Sequence, residues 1–93
     1  MRIKLTIEFN YDLKDIVEFI SRDKPLAARK FKIEVVKSIK KDLKKPFLFK
    51  KSIYFDDENI RDYVFKGYTI VFKVDIALET VVVVAILKHR KSL

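Results

Sequence analysis

Ile60-Arg61-Asp62-Tyr63-Val64-Phe65, Lys66-Gly67, Tyr68-Thr69-Ile70-Val71-Phe72-Lys73-Val74 reads as two strands joined by a tight turn. Tyr68, Ile70, Phe72 and Val74 recur at period two and share one face; Thr69, Val71 and Lys73 take the other. Gly67 is the only glycine, and it stands where a hairpin needs a residue that tolerates positive φ. After a break at residues 75–79 comes Thr80-Val81-Val82-Val83-Val84-Ala85-Ile86-Leu87. That run is apolar on both faces, the pattern of an interior strand covered on both sides. It empties into Lys88-His89-Arg90-Lys91, so a buried strand delivers a basic tail to a sheet edge.

Upstream, Ile3, Leu5 and Ile7 alternate with Lys4, Thr6 and Glu8, which predicts a first strand with one buried face. Asn10 suits a helix N-cap with Asp12 in the first turn, and Leu13, Ile16, Val17 and Ile20 then follow at helical spacing. This helix is expected to stop near residues 21–23. Pro25 fits the first turn of a second helix, with Asp23 or Lys24 at the cap. Ala28, Phe31, Val35, Ile39 and Leu43 form its apolar stripe, and Lys30, Glu34, Lys37, Lys41 and Lys44 form the opposite face. Pro46 ends it, because the residue before proline disfavours helical geometry. Residues 46–59 leave two readings open: a short strand at Ser52-Ile53-Tyr54-Phe55, or irregular chain. Asp56-Asp57-Glu58-Asn59 is a polar turn. Helices followed by strands predict an α+β fold of order β-α-α-β-β-β, a helix hairpin packed on a twisted, largely antiparallel sheet.

Ninety-three residues make a single domain, 1–93, with a small core that buries about 60–65% of the unfolded surface. The absence of cysteine excludes disulfides, thiol nucleophiles and thiolate metal sites, and one histidine excludes a histidine cluster. Three consecutive acids at 56–58 lack the spacing of a calcium loop, so no metal is expected. One glycine rules out a glycine-rich phosphate loop, and no cofactor is expected. The start of the chain has no secretory pattern, and its longest apolar run is far short of the ~20 residues of a membrane helix, so the expected location is the cytoplasm and no membrane is involved.

The formal charge of +8 favours an anionic partner. Residues 37–51 hold seven lysines against Asp42 alone, and Lys88, Arg90 and Lys91 form a second basic group. Arg61, Lys66 and Lys73 lie between them on the strands. Tyr63 shares a strand face with Arg61 and could stack on a base. His89 is flanked by cations that lower its pKa, which favours a neutral imidazole able to accept a proton.

These features together resemble the RelE/ParE superfamily of bacterial type II toxins, over nearly the whole chain. Asp12-Leu13, Ile16 and Phe19-Ile20 look like the family's first helix; Ala27-Ala28, Phe31, Val35, Ile39, Leu43 and Pro46 look like its second. Ile60-Arg61, the run Gly67 to Val74, the valine strand and His89-Arg90 carry the most specific part of the likeness. The resemblance implies a partner: an acidic, partly disordered cognate antitoxin that wraps the toxin. It also implies one of two activities. RelE-like members cut mRNA on the ribosome with basic residues of the sheet plus a C-terminal histidine or tyrosine; ParE-like members are not nucleases and poison DNA gyrase. Here Thr69 stands where the nucleases carry an arginine, and the tail Arg90-Lys91-Ser92-Leu93 has no tyrosine. The chain is therefore closer to the ParE-like branch. Its target-binding residues are expected to be Arg61, Tyr63, Lys66, Lys73, Lys88, His89, Arg90 and Lys91. Under the nuclease alternative His89 and Arg61 are catalytic, with Lys73 and Arg90 as further cations if the strand of Arg61 lies beside residues 81–87. A third reading is a non-toxic basic module that binds nucleic acid or protein.

Overall fold

The computed structural model describes residues 1–88. Its elements run β1 (Arg2–Leu5), α1 (Ile7–Ser21), α2 (Pro25–Asp42), a short 3-10 turn (Pro46–Leu48), β2 (Lys50–Lys51), β3 (Ile60–Phe65), β4 (Tyr68–Asp75) and β5 (Thr80–Lys88). The expected α+β order of strand, two helices and three further strands is present, with β2 as an added two-residue edge strand. The sheet order is β1-β5-β4-β3-β2; β1 is parallel to β5 and every other pair is antiparallel.

Each boundary has a local cause. The β3–β4 hairpin turns on two residues, Lys66 (φ 48°) and Gly67 (φ 82°), a mirror-image turn whose twist suits the strands it joins. This fixes Phe65 opposite Tyr68 and, counting back, Arg61 opposite Phe72. Between β4 and β5 the register jumps: Phe72 faces Val83 but Val71 faces Ala85, which leaves Val84 as the extra residue. The bulge brings Ile86, rather than Ala85, onto the buried face with Val81 and Val83.

Two expectations near the N-terminus are corrected. The strand stops at Leu5, and Thr6 caps α1: its hydroxyl accepts the Phe9 amide at 3.1 Å. Asn10 is thus inside the helix and Asp12 is in its second turn. From there the Asp12 carboxylate accepts the Ile86 amide at 3.3 Å, tying α1 to β5 beyond the end of β1. Ile7 falls on the exposed side of the helix, and Phe9, fully buried, becomes its anchor. α2 follows expectation, with Pro25 in the first turn and Ala28, Phe31, Val35 and Ile39 buried, then Leu43 just past the end.

Residues 52–55 are not a strand. Ser52 donates its amide to Ile60, but the Ser52 hydroxyl then accepts the Tyr54 amide at 3.1 Å and Asp62 accepts the Ile53 amide at 3.0 Å. Side chains take the donors that a ladder would have used.

Both helices lie on one face of the sheet. There Phe9, Leu13, Phe31, Val35, Ile39 and Leu43 meet Tyr63, Ile70, Phe72, Val74, Val81, Val83 and Ile86. β5 is interior, as its sequence suggests, but its second face is only half-buried at Val82, Val84 and Leu87. Among the described residues the helices cover one side alone, so this correction leaves an open sheet face, on which Thr69 and Val71 of β4 are nonetheless buried. No helix among the described residues is long and apolar enough to cross a membrane.

Candidate target-binding surface

The strand registers sort the predicted site residues onto different sides of the molecule. Arg61 and Tyr63 point to the helix side, in line with Phe72 and Ile70. Lys73, next to Phe72 on β4, points to the open face. β4 also separates β3 from β5, so the strand of Arg61 does not lie beside residues 81–87. Arg61 and Lys73 therefore do not converge on one phosphate. His89, Arg90 and Lys91 lie outside the described residues. Lys88 is exposed at the end of β5, opposite Tyr68.

Arg61 is committed to the fold. Its guanidinium donates to the carbonyls of Glu58 (2.9 Å) and Phe49 (3.0 Å), pairs with the Glu58 carboxylate at 3.8 Å, and stands 5.0 Å from the Phe47 ring centre. Its side chain is 18% exposed. One planar fork thus holds the 3-10 turn and the acidic turn against β3, a geometry that a lysine does not reproduce.

Tyr63 is also internal, at 8% exposure. Its ring packs 5.1 Å from Phe49, and its hydroxyl donates to Asp42 at the end of α2. The acid that interrupts the lysine-rich stretch is therefore a tether between helix and sheet. Burial, and then the negative charge it hydrogen-bonds, push the phenol up to about 12. An exposed tyrosine in the unfolded chain titrates near 10. Above that pH the unfolded state loses its proton first, so folding stability falls as pH rises from about 10 towards 12. We expect thermal melts to show a drop over that window that is smaller in Tyr63→Phe; identical profiles would remove Tyr63 as the cause.

Lys66 donates to Glu34 on α2, which joins the hairpin tip to the helix. That hydrogen bond holds the Glu34 carboxyl below its ordinary value. Thr69 is 2% exposed and is a buried part of the open face. Among the described residues no cluster of histidine and acids could hold a metal ion.

The outer side of α2 was missed by the sequence reading. Leu26 and Ile33 are 79% and 61% exposed, two helical turns apart and off the buried stripe. A shallow groove of about 610 Å³ runs beside Ile33 and Val36 and is edged by Arg29, Lys32, Lys37 and Lys40. The signal was present in the sequence as apolar residues seven apart among lysines. It is a weaker pattern than the Ala28–Phe31–Val35 stripe on the buried face.

A sequence comparison with curated proteins finds no match. Among solved structures, the chain is similar to one from the chromosomal ParDE toxin–antitoxin system of Pseudomonas aeruginosa, with 16% identity, 97% of each chain covered and a TM-score of 0.79. It is also similar to a chain of the RelBE2 toxin–antitoxin complex of Mycobacterium tuberculosis, with 17% identity, 95% of this chain and 96% of that chain covered, and a TM-score of 0.67. At such identities these likenesses speak for the fold: a helix hairpin on one side of a mixed sheet. The family evidence comes from the sequence model of the ParE toxin of the type II system parDE, which matches residues 3–93. With that match spanning the helix hairpin, the β3–β4 hairpin and the valine strand, the chain belongs to the ParE toxin family of type II toxin–antitoxin systems.

Proposed function

We propose that this protein inhibits growth by poisoning DNA gyrase in the cytoplasm and is neutralised by an acidic antitoxin. The observation that carries the choice of target is the divided arrangement of cations. Ribosome-dependent cleavage of mRNA needs a group to take the 2′-hydroxyl proton and cations gathered on the phosphate. Arg61 is spent on two backbone carbonyls on the helix side, Lys73 stands on the other face, and Thr69 carries no charge. A protein target needs no such convergence, because a spread surface serves it.

The antitoxin reading is supported by the two similar structures, both from toxin–antitoxin systems, and by the outer groove of α2. A disordered acidic chain that folds on binding would lay an amphipathic segment on Leu26 and Ile33 and meet the surrounding lysines with its carboxylates.

The test has two arms. Purified protein is expected to inhibit gyrase supercoiling and to leave mRNA on translating ribosomes uncut. His89→Ala is expected to keep most of the toxicity, whereas loss of a general base typically costs about 100- to 10,000-fold in rate. Codon-phased mRNA cuts that vanish in His89→Ala, with supercoiling untouched, would assign the chain to the nuclease branch instead.

A further inference from the structure

The open face of the sheet carries a second basic surface, at the end away from the β3–β4 turn. The registers pair Lys4 with Val82, Val82 with Lys73, and Lys73 with Ile60. Lys4, Val82 and Lys73 therefore form one row across three strands, side chains on the same face. Arg2 stands one step further along β1, opposite Thr80. Strand spacing puts Lys4 and Lys73 about 10 Å apart and Arg2 about 7 Å from Lys4. All three are exposed, and none has an ion-pair partner among the described residues. Two carboxylates share this face: Asp75, in the row of Arg2 and Thr80, accepts the Leu78 amide at 3.1 Å, and Asp62 on β3 accepts the Ile53 amide at 3.0 Å. Arg2, Lys4, Thr80, Val82 and the acidic Asp75 border a concave surface of about 480 Å³, and Lys73 stands outside its lining, across Val82.

We propose that Arg2, Lys4 and Lys73 form a phosphate-backbone site for nucleic acid, with Val82 as its floor. Three cations about 7–12 Å apart, on a face where they outnumber the two acids, lose repulsion when an anion of matching pitch binds. The contrast with α2 decides the class of partner. There the cations rim an exposed apolar stripe, which suits a protein segment that anchors by burying side chains. Here two cations and Asp75 edge the concavity, Val82 is half-buried, and Leu78 is the one exposed large apolar side chain of its lining. Among the described residues lining the concavity none is an asparagine, glutamine or aromatic that would read or stack on a base, and the contacts expected are to phosphate, so binding should depend little on sequence. This site goes beyond the toxin reading, since it requires neither gyrase nor antitoxin.

The test uses the purified full chain and a short labelled DNA duplex, with binding followed by fluorescence anisotropy. Three phosphates neutralised give a slope of log K against log salt of about −2.7, a loss of about 40-fold between about 50 and 200 mM salt. The variant Arg2→Thr/Lys4→Thr/Lys73→Thr keeps strand-compatible side chains and removes the site. Arg29→Ser/Lys32→Ser/Lys40→Ser lowers the formal charge of +8 by the same three units but spares it. The sheet variant is expected to lose the salt-dependent binding and the helix variant to retain it. Each single change on the sheet is expected to lower the slope by about 0.9, with thermal melts confirming an intact fold. Equal losses in both variants would overturn the site in favour of diffuse charge. A poly-glutamate peptide that binds at Arg2, Lys4 and Lys73 where duplex does not would overturn it in favour of an acidic protein.

Discussion

Replacing Phe72 with alanine is expected to remove about 3–5 kcal/mol of folding stability, read as a fall in the urea midpoint at unchanged slope. Phe72 is fully buried on β4, the middle strand of the sheet. Its ring meets Phe49 edge-on at 5.8 Å, its neighbours across the strands are Arg61 and Val83, and the helices close over it. Truncation would leave a cavity bounded by three strands and two helices, none of which can move in without breaking its own ladder. A domain of this length has about 5–14 kcal/mol in total, so the variant should keep about 0–11 kcal/mol and melt well below the parent chain. Val64→Ala is the control. Val64 is 52% exposed on the open face of β3 and should shift stability by no more than about 0.5 kcal/mol. A Phe72→Ala loss below about 1 kcal/mol would mean that the core is not seated on β4.

The same hairpin shows how much of the structure was legible in the sequence. The period-two runs located β3, β4 and β5, the spacing in α2 named its buried residues, and Pro25 and Pro46 bracketed that helix. The face of Arg61 was legible as well. A two-residue turn at Lys66-Gly67 pairs residue 65 with 68, hence 61 with 72, and neighbours on a strand point to opposite faces. Arg61 and Lys73 could therefore never have met on one face, whatever the rest of the fold. Strand order was not legible in this way. That β4 lies between β3 and β5, and that β1 adds in parallel outside β5, depend on contacts between residues up to about 80 positions apart. The start of α1 was obscured by a real ambiguity: Ile3, Leu5 and Ile7 continue a strand pattern into a helix. Only the cap at Thr6, with Phe9 as the first buried helical residue, resolves it. Arg2 and Lys4 escaped notice for a related reason. In an alternating strand the polar residues are read as the solvent side, and which cations gather there depends on the neighbouring strand.

The second large effect concerns the proposed antitoxin. Leu26→Asp/Ile33→Asp is expected to weaken its binding by about 100- to 10,000-fold, measured by titration with the purified antitoxin. The two side chains are 79% and 61% exposed, so neither supports the fold, and an aspartate at position 26 suits the first turn of α2. Covering each one is worth about 1.5–3 kcal/mol. Together that is the stated range, before any repulsion between the new carboxylates and an acidic partner. The flanking cations act differently. Lys37→Gln/Lys40→Gln should mainly slow association and flatten its salt dependence, because exposed charges steer encounter more than they hold the complex. The two variants therefore separate anchoring from steering on one helix face. In cells the aspartate variant should arrest growth even with the antitoxin present, since neutralisation needs the antitoxin to bind. Unchanged affinity in that variant, with the melting temperature also unchanged, would move the antitoxin off the outer side of α2.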